Sequence, residues 1–225
     1  MSLSQMMRDL EAEVSLTRHL TGRSALSPEV MEAMRKVPRH RFVPADRVQF
    51  AFDNGPVPIG CGQTISQPFI VALMTDLLNP EKESVVLEIG AGSGYQAAVL
   101  SRLVKRVYTV EIIPELGEQA AERLKELGYR NVEVRIGDGY FGWPEHAPYD
   151  GIIVTAAAPC FPDPLIGQLK PGGRMVIPVG PPYHHQELMT VDKDAEGNIQ
   201  TCSVLPVAFV PLTGEGGYRP GPERA

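Results

Sequence analysis

The chain has 225 residues, a net charge of −6 and 43% hydrophobic residues. That length suits one α/β domain with a full core, and the ordinary apolar share argues against wholesale disorder. The absence of any basic block speaks against generic nucleic-acid binding, and no apolar run reaches the roughly 20 residues of a membrane span.

The first residues, "MSLSQMMRDLEAEV", lack the apolar core of a signal peptide. Cys61, Cys160 and Cys202 are odd in number and form no C-x-x-C pair, so neither zinc nor a disulfide framework is expected. These features place the protein in the reduced cytoplasm.

Residues 1–40 read as two helices. Ser27 is a good N-cap with Pro28 at the first helical position. Val30, Met31, Met34 and Val37 then recur at helical spacing, as core positions do. "IGCGQTISQP" (59–68) follows, an uncharged Gly-rich stretch read as a loop rather than a core strand. After Pro80 the pattern becomes periodic. "SVVLEIG" is a strand ended by glycine, and "SGYQAAVLSRLV" has helical spacing. "RVYTVEI" is the next strand, and Pro114 opens a helix reaching Leu127. "NVEVRIGDG" and "YDGIIVTAAAP" are two further strand-and-loop units. A short helix near 164–169, the turn "KPGG" and the strand "RMVIPVG" complete the alternation. Strands alternating with helices predict right-handed βαβ units and a mostly parallel, buried sheet. Beyond Pro181 two strands joined by an Asp/Gly/Asn turn predict an antiparallel ending. The final "GEGGYRPGPERA" is expected to be mobile.

"VLEIGAGSGY" places Gly90, Gly92 and Gly94 between the first strand of the periodic region and its helix, the crevice where open α/β sheets hold ligands. A dinucleotide fingerprint would need a third glycine at 95, where Tyr95 stands, which disfavours a nicotinamide-dependent oxidoreductase. The phosphate-loop Gly-Lys-Ser/Thr is also missing. Glu88 precedes the loop, Glu111 closes the second strand and Asp138 follows the third. A strand-end carboxylate can accept hydrogen bonds from both ribose hydroxyls. Three acids along one rim suit a nucleoside carrying a cation better than a pyrophosphate. S-adenosylmethionine meets that description.

"VLEIGAGSGY", "VYTVEI", "GDGYFGWPEHAPYDGIIVTAAAP" and "LKPGGRMVIPVG" resemble, in order, the motifs of class I S-adenosylmethionine-dependent methyltransferases. With "GPVPIGCGQTISQP" they resemble one family, protein-L-isoaspartate (D-aspartate) O-methyltransferase, over nearly the whole chain. The resemblance implies a Rossmann-like fold, a mostly parallel sheet flanked by helices, with N-terminal helices and a C-terminal antiparallel extension. It implies one domain: helices and active-site loop at 1–80, cofactor core at 81–180, terminal strands at 181–212 and a tail at 213–225. It maps Ser66 onto the catalytic position. Gln63, Thr64, Ile65, Ser66, Glu88, Gly90, Gly92, Ser93, Glu111, Ile112, Asp138, Gly139 and Thr213 map onto the cofactor site. Asn54, Gly55, Ser66, Thr155 and Ala156 map onto the substrate side, with Phe52 at a usual aromatic position.

The implied reaction carries a methyl group from S-adenosylmethionine, leaving S-adenosylhomocysteine, to the α-carboxyl of L-isoaspartyl residues in damaged proteins and peptides. A carboxylate is ionised near neutral pH, so no general base is needed. An uncharged loop can hold it without quenching its nucleophilicity. The "VTAAAP" segment has no acidic or amide acceptor, which disfavours methylation of bases. The alternatives are a class I methyltransferase acting on a small-molecule or other protein carboxylate, and a non-catalytic cofactor-binding protein. His184 and His185 lack a third metal ligand. No metal, nucleic acid or membrane partner is expected, and the chain is expected to act as a monomer.

Overall fold

The computed structural model describes residues 1–182 and 184–218. Its centre is a seven-stranded sheet of β3 (Val85–Ile89), β4 (Arg106–Glu111), β5 (Val132–Ile136), β6 (Tyr149–Val154), β7 (Leu169–Val179), β8 (Gln186–Lys193) and β9 (Ile199–Val207), in the order β5-β4-β3-β6-β7-β8-β9. β3 to β7 pair in parallel, while β8 and β9 run antiparallel. This is the mostly parallel sheet with an antiparallel ending that the sequence pattern predicts. The order reverses between β3 and β6, so a crevice opens at their carboxyl ends.

Successive side chains of a buried strand enter opposite layers. In β3, Val86 joins the core shared with α1 (Leu3–Thr21), α2 (Pro28–Lys36), α3 (Pro68–Leu78) and α4 (Tyr95–Ser101). Its neighbours Leu87 and Ile89 join the opposite layer with Trp143, Tyr149 and Leu165. α5 (Pro114–Glu126) packs on β4 and β5, adding Leu116 and Leu124 to the first layer. α6 (Asp163–Gln168) packs on β7. α2 begins as expected: the Ser27 hydroxyl accepts from the Val30 N–H at 3.3 Å, and Val30, Met31, Met34 and Val37 are buried.

Three expectations need correction. The stretch read as a loop is a hairpin of β1 (Val57–Gly60) and β2 (Gln63–Ile65). Cys61 (φ 50°) and Gly62 (φ 70°) form its turn, and two central residues with positive φ match the right-handed twist of paired strands. The "KPGG" segment is no turn between elements but a bulge inside β7: pairing with β6 jumps from Tyr149–Leu169 to Gly151–Arg174. The tail expected to be mobile from 213 is tied down as far as Tyr218. The Tyr218 N–H donates to the Leu212 carbonyl at 2.8 Å and its hydroxyl to the Gly180 carbonyl at 2.7 Å. The rest of that segment lies outside the described residues.

Candidate active site

The hairpin, the glycine loop and the ends of β4 and β6 converge on one cleft. Gln63, Thr64, Ile65 and Ser66 form one wall, and Gly90, Gly92 and Ser93 the floor. Glu111 and Ile112 close the β4 side, Gly139 the β5 side, and Thr155 and Ala156 the β6 side. Thr213 enters from the C-terminal segment. Gly90 has φ +94°, and a Cβ there would strike the Thr155 hydroxyl oxygen, so glycine alone keeps the floor open. That hydroxyl lies 2.7 Å from the Gly90 carbonyl and 3.0 Å from that of Ile89, which commits its proton to the glycine loop.

Among the described residues, Glu111 is the one charged side chain lining this cleft. Only 5% exposed, it accepts from the Gly92 N–H at 2.7 Å and the Ile113 N–H at 3.0 Å. Two N–H bonds leave a carboxylate with spare lone pairs for hydroxyl donors such as those of a ribose. A cleft with one anion and no cation fits a phosphate-free nucleoside bearing a positive charge and would repel a pyrophosphate. The donor set therefore suits S-adenosylmethionine.

A second cleft opens through the same wall. Thr64, Ser66, Thr155 and Val210 line both, and the second adds Glu13 and Thr17 of α1, Gln67, Phe69 and Ile70 of the α3 start, and the chain from Leu205 to Val210. Its walls are mostly apolar, and Glu13 is its one charged lining residue among those described.

Four predicted residues lie outside both linings. Glu88 is 0% exposed on the sheet face packed against α4, because the alternation of β3 turns it away from the crevice that begins one residue after the strand. The Asp138 carboxylate accepts from the Tyr140 N–H at 2.9 Å and the Glu215 N–H at 2.7 Å. It caps a short 3-10 turn and pins the C-terminal segment, leaving its neighbour Gly139 on the cleft. The Asn54 side-chain amide donates to the carboxylate of Glu13, a residue of the second cleft, at 2.9 Å, and Gly55 stands beside Asn54 in the chain.

Sequence reasoning missed the stretch from Leu205 to Leu212. Its neighbours in space are the alanines of "VTAAAP": the Ala157 N–H donates to the Val210 carbonyl and its carbonyl accepts from the Leu212 N–H, both at 2.8 Å. Those small residues make room for the chain's own C-terminal segment. In the sequence only the run of small residues hinted at such a close approach, and in the fold Ala157 and Ala158 are fully buried. Glu13 and Thr17 were missed as well, since a single polar pair on a helix carries no motif.

Among the described residues no group of three or more His, Cys, Asp or Glu could hold a metal ion, and no helix is long and apolar enough to cross a membrane.

Residues 12–217 match the family model described as protein-L-isoaspartate (D-aspartate) O-methyltransferase. A protein-L-isoaspartate O-methyltransferase 2 from Syntrophobacter fumaroxidans is 61% identical over 211 residues, covering 94% of this chain and 85% of that one. Its namesake from a Polaromonas species is 61% identical over 210 residues, covering 93% of this chain and 100% of that one. A solved protein-L-isoaspartate O-methyltransferase superposes with a TM-score of 0.79 at 28% identity, over 96% of this chain and 67% of that one. A Plasmodium falciparum structure in complex with S-adenosyl-L-homocysteine shares the fold, with a TM-score of 0.75 at 24% identity over 92% of this chain and 98% of that one. A match spanning nearly the whole chain, at such identity and on this fold, makes the chain a member of the protein-L-isoaspartate (D-aspartate) O-methyltransferase family.

Proposed function

We propose that the chain is a cytoplasmic, monomeric repair enzyme that methylates the α-carboxyl of L-isoaspartyl residues in damaged proteins and peptides. The resulting ester loses methanol to a succinimide, which reopens in part to aspartate. The chain works as one methyltransferase domain. S-adenosylmethionine, when bound, supplies an electrophilic methyl carbon on a positive sulfonium.

The first cleft holds that cofactor. Glu111 would accept from the ribose hydroxyls, and the backbone of Gly90, Gly92 and Ser93 would let the ligand approach closely. Gln63, Thr64, Ile65, Ile112, Gly139, Ala156 and Thr213 complete the walls. The second cleft receives the peptide. The substrate carboxylate would reach the first cleft at the hydroxyls of Ser66 and Thr64, which would donate to it and orient it for transfer. Positioning is the protein's task here, because the nucleophile is already ionised. Asn54 and Gly55 shape the peptide side through Glu13, and Asp138 acts by pinning the segment that carries Thr213.

The single observation that carries this reading is the shared wall: Thr64, Ser66, Thr155 and Val210 belong to both clefts. Two peptides that differ only in an L-isoaspartyl or an L-aspartyl linkage test it, with methyl-labelled S-adenosylmethionine and collection of base-labile methanol. Label from the isoaspartyl peptide alone is the expected result. Label from neither peptide, with the cofactor bound, would leave only the methyltransferase fold standing.

A further inference from the structure

Beneath the hairpin lies Arg39, the largest fully buried side chain among the described residues. Its Nε donates to the Ala51 carbonyl at 2.8 Å and its Nη2 to the Ser66 carbonyl at 2.7 Å. The guanidinium carbon stands 4.7 Å from the centroid of the Tyr95 ring. Nη1 is buried with no hydrogen-bond partner, and Arg39 takes part in no ion pair among the described residues. Burying a charge without a counter-ion costs several kcal/mol. The two carbonyl bonds tie Ala51 to the end of the hairpin, yet they leave the charge itself uncompensated. The next negative charge to arrive nearby is the substrate carboxylate at Ser66.

We propose that Arg39 is a positioning residue for methyl transfer, acting through the Ser66–Gln67 peptide. Resting on the isoaspartyl reading above, it has two parts. By bonding the Ser66 carbonyl, Arg39 fixes that peptide plane, and in a trans peptide the Gln67 N–H then points the opposite way. Gln67 lines the second cleft, so a polarised N–H joins the Ser66 hydroxyl in receiving the carboxylate. The buried charge also attracts the carboxylate from one peptide group away. Direct contact with the guanidinium would hold the oxygens in a bidentate grip and weaken them as nucleophiles. The intervening peptide keeps the attraction without the grip.

Arg39→Met, Arg39→Lys and Ser66→Ala, alone and with each Arg39 change combined with Ser66→Ala, provide the test. The readouts are kcat and KM for the isoaspartyl peptide, calorimetric affinity for that peptide in the S-adenosylhomocysteine complex, affinity for S-adenosylhomocysteine itself, and Tm. Arg39→Met is expected to weaken peptide affinity about tenfold and lower kcat/KM about thirtyfold or more, leaving S-adenosylhomocysteine affinity within about twofold. Arg39→Lys restores part of the peptide affinity through its charge, while kcat stays low because an ammonium cannot reproduce the planar fork. On Ser66→Ala, Arg39→Met adds less than about threefold, since both act on one group. A parallel loss of Tm, S-adenosylhomocysteine affinity and turnover would make Arg39 merely structural and overturn the proposal, as would fully multiplicative losses in the double variant. If Arg39→Met does not fold, Arg39→Lys decides, and an unchanged kcat there sinks the idea. Wild-type protein that methylates neither peptide would instead refute the substrate reading on which this one stands.

Discussion

Glu88 shows at the scale of one residue how a motif position can be right in sequence and differently employed in space. Its carboxyl is fully buried and neither oxygen has a partner. Burial, reinforced by the nearby Glu111 charge, pushes its pKa from 4.5 up to about 8. The folded state therefore keeps the proton while the unfolded chain releases it. Stability present below pH 4.5 is lost as pH rises through about 8, and the loss levels off above that. Glu88→Gln removes this contribution. Its Tm should change less with pH than that of the wild type between pH 5 and 8, with a difference in slope worth about a few kcal/mol across the window. Parallel Tm–pH lines for the two proteins would show that Glu88 is ionised in the fold. Glu111, at the end of the neighbouring strand, reaches the cleft because it is the last residue of β4 rather than one residue short of a strand end.

At the scale of elements, periodicity located the strands and helices of the cofactor half, and the Ser27 cap and Pro114 at a first helical position set where helices begin. The hairpin escaped because its strands are 4 and 3 residues long, too short for alternation to register. Its turn carries Cys61 at φ 50°, a conformation that suits Asn or Gly better than a cysteine. Cys61→Asn should stabilise the protein by about 0.5–1 kcal/mol without touching the cofactor cleft, as read from denaturant midpoints at unchanged slope. A destabilised variant would mean that the contact between Cys61 Sγ and Glu115 Oε2, at 3.6 Å, matters more than the turn.

For the whole molecule, the cofactor cleft joins β3, β4, β6, the hairpin and the C-terminal segment, so a ligand there braces elements far apart in the chain. S-adenosylhomocysteine at about 100 times its Kd should stabilise the fold by about 2.7 kcal/mol. For a domain of this size that raises Tm by roughly 5–10 °C. Glu111→Ala should remove most of the shift, and NADH should produce none. A shift that survives Glu111→Ala would place the ligand elsewhere.

The parallel core, the glycine loop at its switch point, the acid that ends β4 and the uncharged residues at the hairpin are all legible in the chain. These are local matters: strand and helix periods, backbone freedom and side-chain charge act within a few residues. Which long-range partners complete the site depends on the assembled fold. Arg39 meets Ser66 across 27 positions, and Asp138 meets Glu215 across 77. The small residues of "VTAAAP" found their partner in the Val210–Leu212 backbone. No local pattern records such pairings, because burial and backbone hydrogen bonding select them only once the sheet has brought the segments together.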